Sequence, residues 1–135
     1  MKKLIVVFLI VLIVIISSCG LSNNNLTVNE GDYALKVMDG MDDEIPILPH
    51  INLADEKFTF SYDMLSSYLP VGNYEINEDR LILITDDNKY KYVFKIADRS
   101  LFFIESESSD VKLIDTRLGI QIENNSEFVL SHSIQ

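Results

Sequence analysis

The chain has 135 residues, which is enough for one small domain with a single core. Its formal net charge of −10 argues against a nucleic-acid partner, because phosphate binding needs a basic stripe. Its single cysteine excludes an intramolecular disulfide framework and a cysteine-ligated metal site.

The first segment is a short positive stretch followed by an apolar run. Lys2 and Lys3 precede residues 4–16, which contain only Leu, Ile, Val and Phe. Basic, then apolar, then small residues are typical of a secretory signal. A permanent membrane-spanning helix needs about 20 apolar residues, so this run is short for one. We therefore expect residues 1–18 to be a signal peptide with a helical apolar part.

The cysteine follows this run directly. Ile16-Ser17-Ser18-Cys19 resembles the lipobox of bacterial lipoproteins, which has an aliphatic residue, two small residues and then cysteine. The resemblance implies cleavage between Ser18 and Cys19 and a covalent diacylglyceryl group on the Cys19 sulfur. Two acyl chains hold a protein stably at a membrane, whereas one chain holds it only marginally. The implied location is the cell membrane, with the domain on the extracytoplasmic side; inner and outer membrane both stay open.

Residues 19–31 are polar and rich in asparagine, which predicts a lipidated N-terminus and tether. The alternative is an ordered strand at residues 26–28. The β domain is expected over residues 32–135. Within it, one loop crowds four acidic residues: Asp39, Asp42, Asp43 and Glu44. Calcium takes about six to eight oxygen ligands, so this loop is a candidate calcium site; a solvated acidic turn is the alternative.

From residue 33 onward, apolar and polar residues alternate with a period of two, as in half-buried strands. In residues 90–96 the side chains of Tyr90, Tyr92, Phe94 and Ile96 would share one face, which a helix would not allow. Short polar links join the segments, as in hairpins. The predicted strands are residues 33–38, 58–62, 71–76, 80–85, 90–96, 101–105, 111–115, 119–123 and 127–131.

Only residues 63–69 could form a helical turn, with Asp63 as its cap and Pro70 as its stop. The pattern therefore predicts an all-β domain. Its antiparallel meander would close into a small barrel or a sandwich.

The middle of the chain, about residues 51–109, carries five short motifs in order: Ser66-Ser67-Tyr68, Gly72-x-Tyr74, Leu81-x-Leu83, Asp86-Asp87 and Tyr92-x-Phe94. This order resembles a lipocalin-like β domain of small Gram-positive-type lipoproteins, also seen as a module on membrane-sensor peptidases. Asn88 departs from it, since the family tends to have glycine there, but asparagine tolerates a left-handed turn. The resemblance implies a fold and a location. It implies no catalytic residue, because the family has no assigned activity.

Two features are candidate binding surfaces. Ile82, Ile84 and Val93 lie on the second face of the predicted sheet, and Phe102 joins them if Phe103 faces the core. Either a second layer covers this face or it is a binding patch. The inward-facing aromatic residues are the second feature. They indicate either plain core packing or a barrel mouth that holds a small apolar ligand.

Catalytic chemistry has little support. Ser109 and Lys112 form a literal S-x-x-K, but that motif needs a helix start and partner motifs that this sequence lacks. We interpret it as a chance match and expect no cofactor beyond the lipid on Cys19. The sequence favours a non-catalytic binding or sensing module on the membrane. The alternative is a subunit or inhibitor that contacts an envelope protein, and an enzyme ranks last.

Overall fold

The protein is described here by a computed structural model that covers residues 26–37 and 48–131. These residues form eight antiparallel β-strands in a closed barrel in which each strand pairs with its neighbours in sequence. The strands are β1 (Gly31–Leu35), β2 (His50–Ala54), β3 (Lys57–Ser61), β4 (Val71–Asn77), β5 (Arg80–Thr85), β6 (Lys91–Ala97), β7 (Ser100–Phe103) and β8 (Glu127–Leu130).

Closure is made by β8, which pairs with both β1 and β7. Leu130 lies opposite Tyr33 on one side, and Phe128 lies opposite Leu101 on the other. The barrel alternative of the predicted fold class is therefore confirmed over the sandwich. Closure leaves no free strand edge, so the backbone is protected against edge-to-edge pairing.

Alternation of apolar and polar residues fills the barrel with side chains. In β5, Leu81, Leu83 and Thr85 are buried, whereas the residues between them are half-buried on the outside. The core is dominated by aromatic and aliphatic residues: Tyr33, Leu35, Ile51, Leu53, Phe58, Phe60, Leu81, Leu83, Tyr92, Phe94, Ile96, Leu101, Phe103, Val111, Ile122 and Phe128. Burial of this set supplies the main stabilisation of the fold.

The meander gives the barrel two unlike ends. At one end, which we call the tight-turn end, residues 55–56, 78–79 and 98–99 connect β2 to β3, β4 to β5 and β6 to β7. The chain enters β1 and leaves β8 at this same end, where the Asp55 N–H donates to Glu30 Oε1 at 2.8 Å. The opposite, long-loop end carries the connections 36–49, 62–70, 86–90 and 104–126.

Two-residue turns close the tight-turn end without glycine. Asp55 and Glu56 both have positive φ, at 51° and 60°, which is the requirement of a type I′ hairpin turn. Glu78 and Asp98 also have positive φ, at 56° and 53°. Such turns match the right-handed twist of the strands they join, so they fix the register of the hairpins.

Two predicted strands were wrong, one strand was missed, and the candidate helical turn is not a helix. Residues 111–115 and 119–123 form no strands, because β8 already pairs on both sides and no edge is free. Their apolar residues instead pack on the core, with Val111 and Ile122 buried. Strand β2 was missed, and residues 63–69 form a turn rather than a helix, in which the Leu65 N–H donates to Asp63 Oδ1 at 2.9 Å.

A short 3₁₀-helix, Glu105–Glu107, follows β7 and packs beside β6. Within the two described stretches, no helix is long and apolar enough to cross a membrane. The predicted signal helix and the lipidation site lie outside the described residues.

Candidate functional site

The long-loop end contains an open cleft of about 330 Å³ beside the C-terminal end of β3. It forms because the 62–70 connection stands away from the barrel wall before Pro70 leads into β4. Its lining is largely aromatic and apolar, with one carboxylate: Phe60, Ser61, Tyr62, Asp63, Met64, Ser66, Tyr68, Leu69 and Pro70. A cleft of this size is at the lower end of the range for small-molecule sites.

Five rings form a continuous arc from the barrel core to the cleft. We call Phe60, Tyr62, Tyr92, Tyr90 and Tyr68 the aromatic arc. Their ring centroids follow one another at 5.2, 6.4, 6.4 and 5.3 Å. Such separations are those of favourable aromatic pairs, which hold each ring in a defined orientation.

The Tyr92 hydroxyl lies within this arc and is unusual. The side chain is fully buried, and its hydroxyl makes no hydrogen bond with any of the described residues. The Tyr62 hydroxyl lies nearby but without hydrogen-bond geometry. Burial strongly raises the pKa of Tyr92, and the electrostatic effect of the nearby Tyr62 raises it further. A buried polar group without a partner costs free energy, so this hydroxyl is expected to lower the stability of the packed core.

Asp63 ties two loops together at the edge of the cleft. Its Oδ1 accepts the Leu65 N–H, and its Oδ2 accepts the Ile114 N–H at 2.8 Å. A carboxylate can accept about four hydrogen bonds, so Asp63 keeps acceptor capacity toward the cleft that it lines.

A second carboxylate supports Tyr68 from behind. Asp87 accepts the Thr85 hydroxyl at 2.6 Å and the Tyr68 hydroxyl at 3.2 Å. The Lys89 N–H also donates to it, at 3.1 Å. The Thr85 hydroxyl bond, followed by the Lys89 backbone bond, lowers the pKa of Asp87. Tyr68 is therefore positioned by an ionised group, and the long-loop end is negative at neutral pH.

Exposed apolar side chains surround the cleft. Leu69 is 52% exposed and Leu118 is also 52% exposed, although both are aliphatic. Most large apolar residues that are exposed in the described part of the chain belong to this end: Met64, Leu65, Tyr68, Leu69, Val71, Tyr90, Ile114 and Leu118. A contiguous apolar surface of this kind commonly marks a binding site.

The predicted binding face lies elsewhere, on the outer wall of β5, β6 and β7. Ile82 pairs directly with Val93, and Ile84 and Phe102 are half-buried on the same outer side. Val93 itself is only 1% exposed. The segment after β7 covers it, since Ser108 Oγ accepts the Val93 N–H at 2.8 Å. A covering layer thus lies over part of this face, and its use as a binding surface stays a prediction.

The structure does not describe the other predicted site residues. Cys19, Ser18 and the candidate calcium ligands Asp39, Asp42, Asp43 and Glu44 lie outside the described part of the chain. Within residues 26–37 and 48–131, no group of three or more His, Cys, Asp or Glu side chains could hold a metal ion.

The S-x-x-K residues have ordinary structural contacts. Ser109 Oγ accepts the Lys91 N–H at 3.0 Å, and Lys112 Nζ lies 2.9 Å from Asp110 Oδ2. Neither group lines the described cleft. These contacts agree with the interpretation of the motif as a chance match in a turn.

The sequence had pointed to an aromatic barrel mouth but not to the cleft itself. Tyr92 was placed on the shared face of residues 90–96, and Tyr68 belonged to the S-S-Y motif. Asp63 was missed as a site residue, because its bond to Ile114 joins positions far apart in the chain. The alternation that gathers Phe60, Tyr62 and Tyr92 on one side was the signal available.

Comparison with protein-family models, with curated proteins and with solved structures found no match for the chain. Its function is therefore inferred from the geometry of the barrel and its cleft.

Proposed function

We propose that this protein is a lipid-anchored, extracytoplasmic binding module that takes a small, partly apolar ligand in the cleft at its long-loop end. Cys19 would carry the lipid, and the barrel would stand on the outer side of the cell membrane. The module is non-catalytic in this proposal.

One observation carries the proposal: the residues that lead directly into β1 and the cleft belong to opposite ends of the barrel. Glu30, which directly precedes β1, contacts the β2–β3 turn at the tight-turn end. The cleft lies between Phe60 and Pro70 at the long-loop end. A chain held at Cys19 would therefore present the cleft away from the point of attachment. This is a suitable arrangement for capture of a ligand from outside.

The interior of the barrel favours the cleft over a central cavity as the site. Phe60, Phe94 and Phe128 meet at ring-centroid separations between 5.6 and 6.1 Å in the middle of the barrel. Eight-stranded barrels have room for side chains or for one small ligand. Here aromatic side chains take the central space, so a ligand would bind where the packing opens at the loops.

The anchor is tested by Cys19→Ala in cells supplied with labelled palmitate. We expect the variant to lose the label and to be released into the medium or kept as uncut precursor. Cys19→Ala that still carries label and is still processed would contradict the lipid anchor.

Binding is tested by thermal unfolding of the full chain with separate additions of calcium, zinc, fatty acids, phospholipids and cell-wall fragments. A ligand that binds only the folded state raises stability by about 2.7 kcal/mol at a hundredfold excess over Kd. We expect a shift with an apolar or amphipathic compound that is lost in Leu69→Asp. The matched control Ile76→Asp, at the tight-turn end, should keep it. Equal loss in both variants would count against the cleft.

A second candidate function is supported by the exposed apolar loops. Met64, Leu65 and Leu69 are each about half exposed, and Met is enriched in the cores of protein interfaces. A subunit or inhibitor that contacts an envelope protein through this end would use the same residues. Crosslinking from position 69 in intact cells would yield a defined protein adduct in that case, and none if the ligand is small.

A further inference from the structure

We infer that the ligand of this cleft is an organic cation with an aromatic or compact apolar body. This inference rests on the proposed function, because it names the ligand class of the same cleft. Three features carry it: the aromatic lining of the cleft, the sign of the charge there and the size of the cleft.

Aromatic side chains from β3 and from the 62–70 connection line the cleft. Phe60 belongs to β3, and Tyr62 and Tyr68 belong to the connection. A cation within about 6 Å of a ring centroid is attracted by the negative face of the ring. Two contacts orient the Tyr68 side chain. Its ring packs against Tyr90, with 5.3 Å between the ring centroids, and its hydroxyl donates a hydrogen bond to Asp87.

The charge at the cleft is negative. Asp63 is the ionisable carboxylate among the lining residues, and none of the described lining residues is basic. Asp87 lies directly behind the Tyr68 hydroxyl. Among the described residues, the cation paired with Asp87 is Lys89, whose Nζ lies 3.7 Å from Asp87 Oδ2 and is largely exposed. A cationic ligand is therefore attracted to this end, and an anionic ligand is repelled.

The volume of the cleft limits the size of the ligand. A cavity of about 150 Å³ holds one benzene ring, so 330 Å³ accommodates a ring with a short charged arm. Tyr92 lies behind Phe60 and Tyr62 and does not line the cleft, so the ligand would contact the residues of the lining alone.

The test compares four probes that share one ring: benzylammonium, benzyltrimethylammonium, benzyl alcohol and benzoate. The full chain, in an uncharged maltoside detergent, is labelled with ¹³C at the methionine methyl groups. Met64 lines the cleft, and its signal among the four methionines is assigned with Met64→Leu. Shifts of this signal during titration report occupancy of the cleft.

We expect benzylammonium to bind about tenfold more tightly than benzyl alcohol, and benzoate to give no shift. Raising the salt to about 0.5 M should reduce the advantage of the cation, because screening weakens charge attraction. Tyr68→Leu should weaken benzylammonium about fivefold. The matched Tyr74→Leu, in β4 toward the tight-turn end, should leave that affinity unchanged.

Tyr92→Phe is a control from the buried part of the aromatic arc. Its hydroxyl lies outside the lining of the cleft, so this variant should leave the affinities of benzylammonium and benzyltrimethylammonium unchanged. Tyr68→Leu and Tyr92→Phe must both still unfold cooperatively on heating. Removal of an unpartnered buried hydroxyl should not destabilise the barrel.

The outcomes separate the two proposals. If benzyl alcohol binds as tightly as benzylammonium, or if benzoate also binds, the cation inference is wrong and the small-ligand cleft survives. If Tyr92→Phe weakens both cations as much as Tyr68→Leu does, the cations do not occupy the cleft and the cation inference is wrong. If no probe moves the Met64 signal, the cleft does not take small aromatic ligands, and the proposed function fails with it.

Discussion

The two ends of this barrel are built from different residues for different tasks. The tight-turn end uses two-residue connections with acidic residues, such as Asp55-Glu56 and Glu78-Asp79. The start of β1 and the end of β8 also lie at this end. The long-loop end uses connections of nine residues or more, apart from residues 86–90, and exposes apolar side chains. The first arrangement fixes register, whereas the second builds a cleft.

This difference indicates where stability and recognition lie. The barrel strands carry the buried core, and each strand pairs with a neighbour on both sides. The loops carry aromatic and aliphatic residues whose exposure contributes little to folding. Substitutions in the barrel should therefore change unfolding, and those at the rim of the cleft should change binding.

The largest expected effect is loss of a core ring. Phe94 packs against Phe60, Phe103 and Phe128 at 5.8, 5.4 and 5.6 Å between centroids. Phe94→Ala should reduce the free energy of unfolding by about 4 kcal/mol, because it leaves a cavity. Leu69→Ala, at an exposed rim position, should change it by less than about 0.5 kcal/mol. Urea denaturation measures both, and similar losses would remove the distinction between barrel and rim.

The next effect concerns the close approach of β4 and β5. A Cβ atom at Gly72 would overlap the Ile84 carbonyl oxygen and lie 2.8 Å from Thr85 Cα. Gly72→Ala should therefore cost about 3 kcal/mol, since backbone must move. Gly119→Ala in the 104–126 loop would meet only the flexible Leu113 side chain, at 3.3 Å. Thermal melts of both variants give the comparison, and an unchanged Gly72→Ala melt would contradict it.

A smaller effect is expected where the 104–126 connection contacts β6 through a hydrogen bond. Ser108 Oγ accepts the Val93 N–H and donates to the Ile104 carbonyl at 2.7 Å. Ser108→Ala leaves that buried N–H without an acceptor and should cost about 2 kcal/mol. Ser109→Ala removes a bond to the exposed Lys91 N–H, which water can replace, so it should cost less. Hydrogen exchange at Val93 should accelerate in the first variant alone.

The smallest effect is a pH dependence at the cleft. Bonds from Thr85 and Lys89 lower the folded pKa of Asp87, whereas an unfolded Asp titrates near about pH 4. These bonds are therefore complete above about pH 4 and are lost as the pH falls through the lower folded value. The Lys89 amide signal should titrate with a midpoint below about pH 4 in NMR spectra. Asp87→Asn should abolish this titration, and Asp86→Asn should leave it.

Much of the barrel could be predicted from alternation alone. Residues 80–85 were predicted with the bounds that β5 has, and most other strands were placed within two residues. Period two is a strong signal when one face is buried and the other is not. Strand β2 was missed because the turn at Asp55-Glu56 contains no glycine or asparagine to announce a hairpin.

The cleft could be predicted only in part. Residues 111–115 and 119–123 have the alternation of strands, yet closure of the barrel by β8 denies them a partner. Their apolar residues then cover the core at the long-loop end, which a local pattern cannot indicate. The contact between Asp63 and Ile114 and the isolation of the Tyr92 hydroxyl likewise arise from tertiary packing.

The most direct measurement locates a neutral probe, benzyl alcohol, on the barrel by backbone amide shifts of the full chain. We expect shifts in residues 60–70 and 86–92 at the long-loop end, with the tight turns at 55–56, 78–79 and 98–99 unchanged. Shifts concentrated at those turns, or on the outer face at Ile82, Ile84 and Phe102, would contradict this expectation.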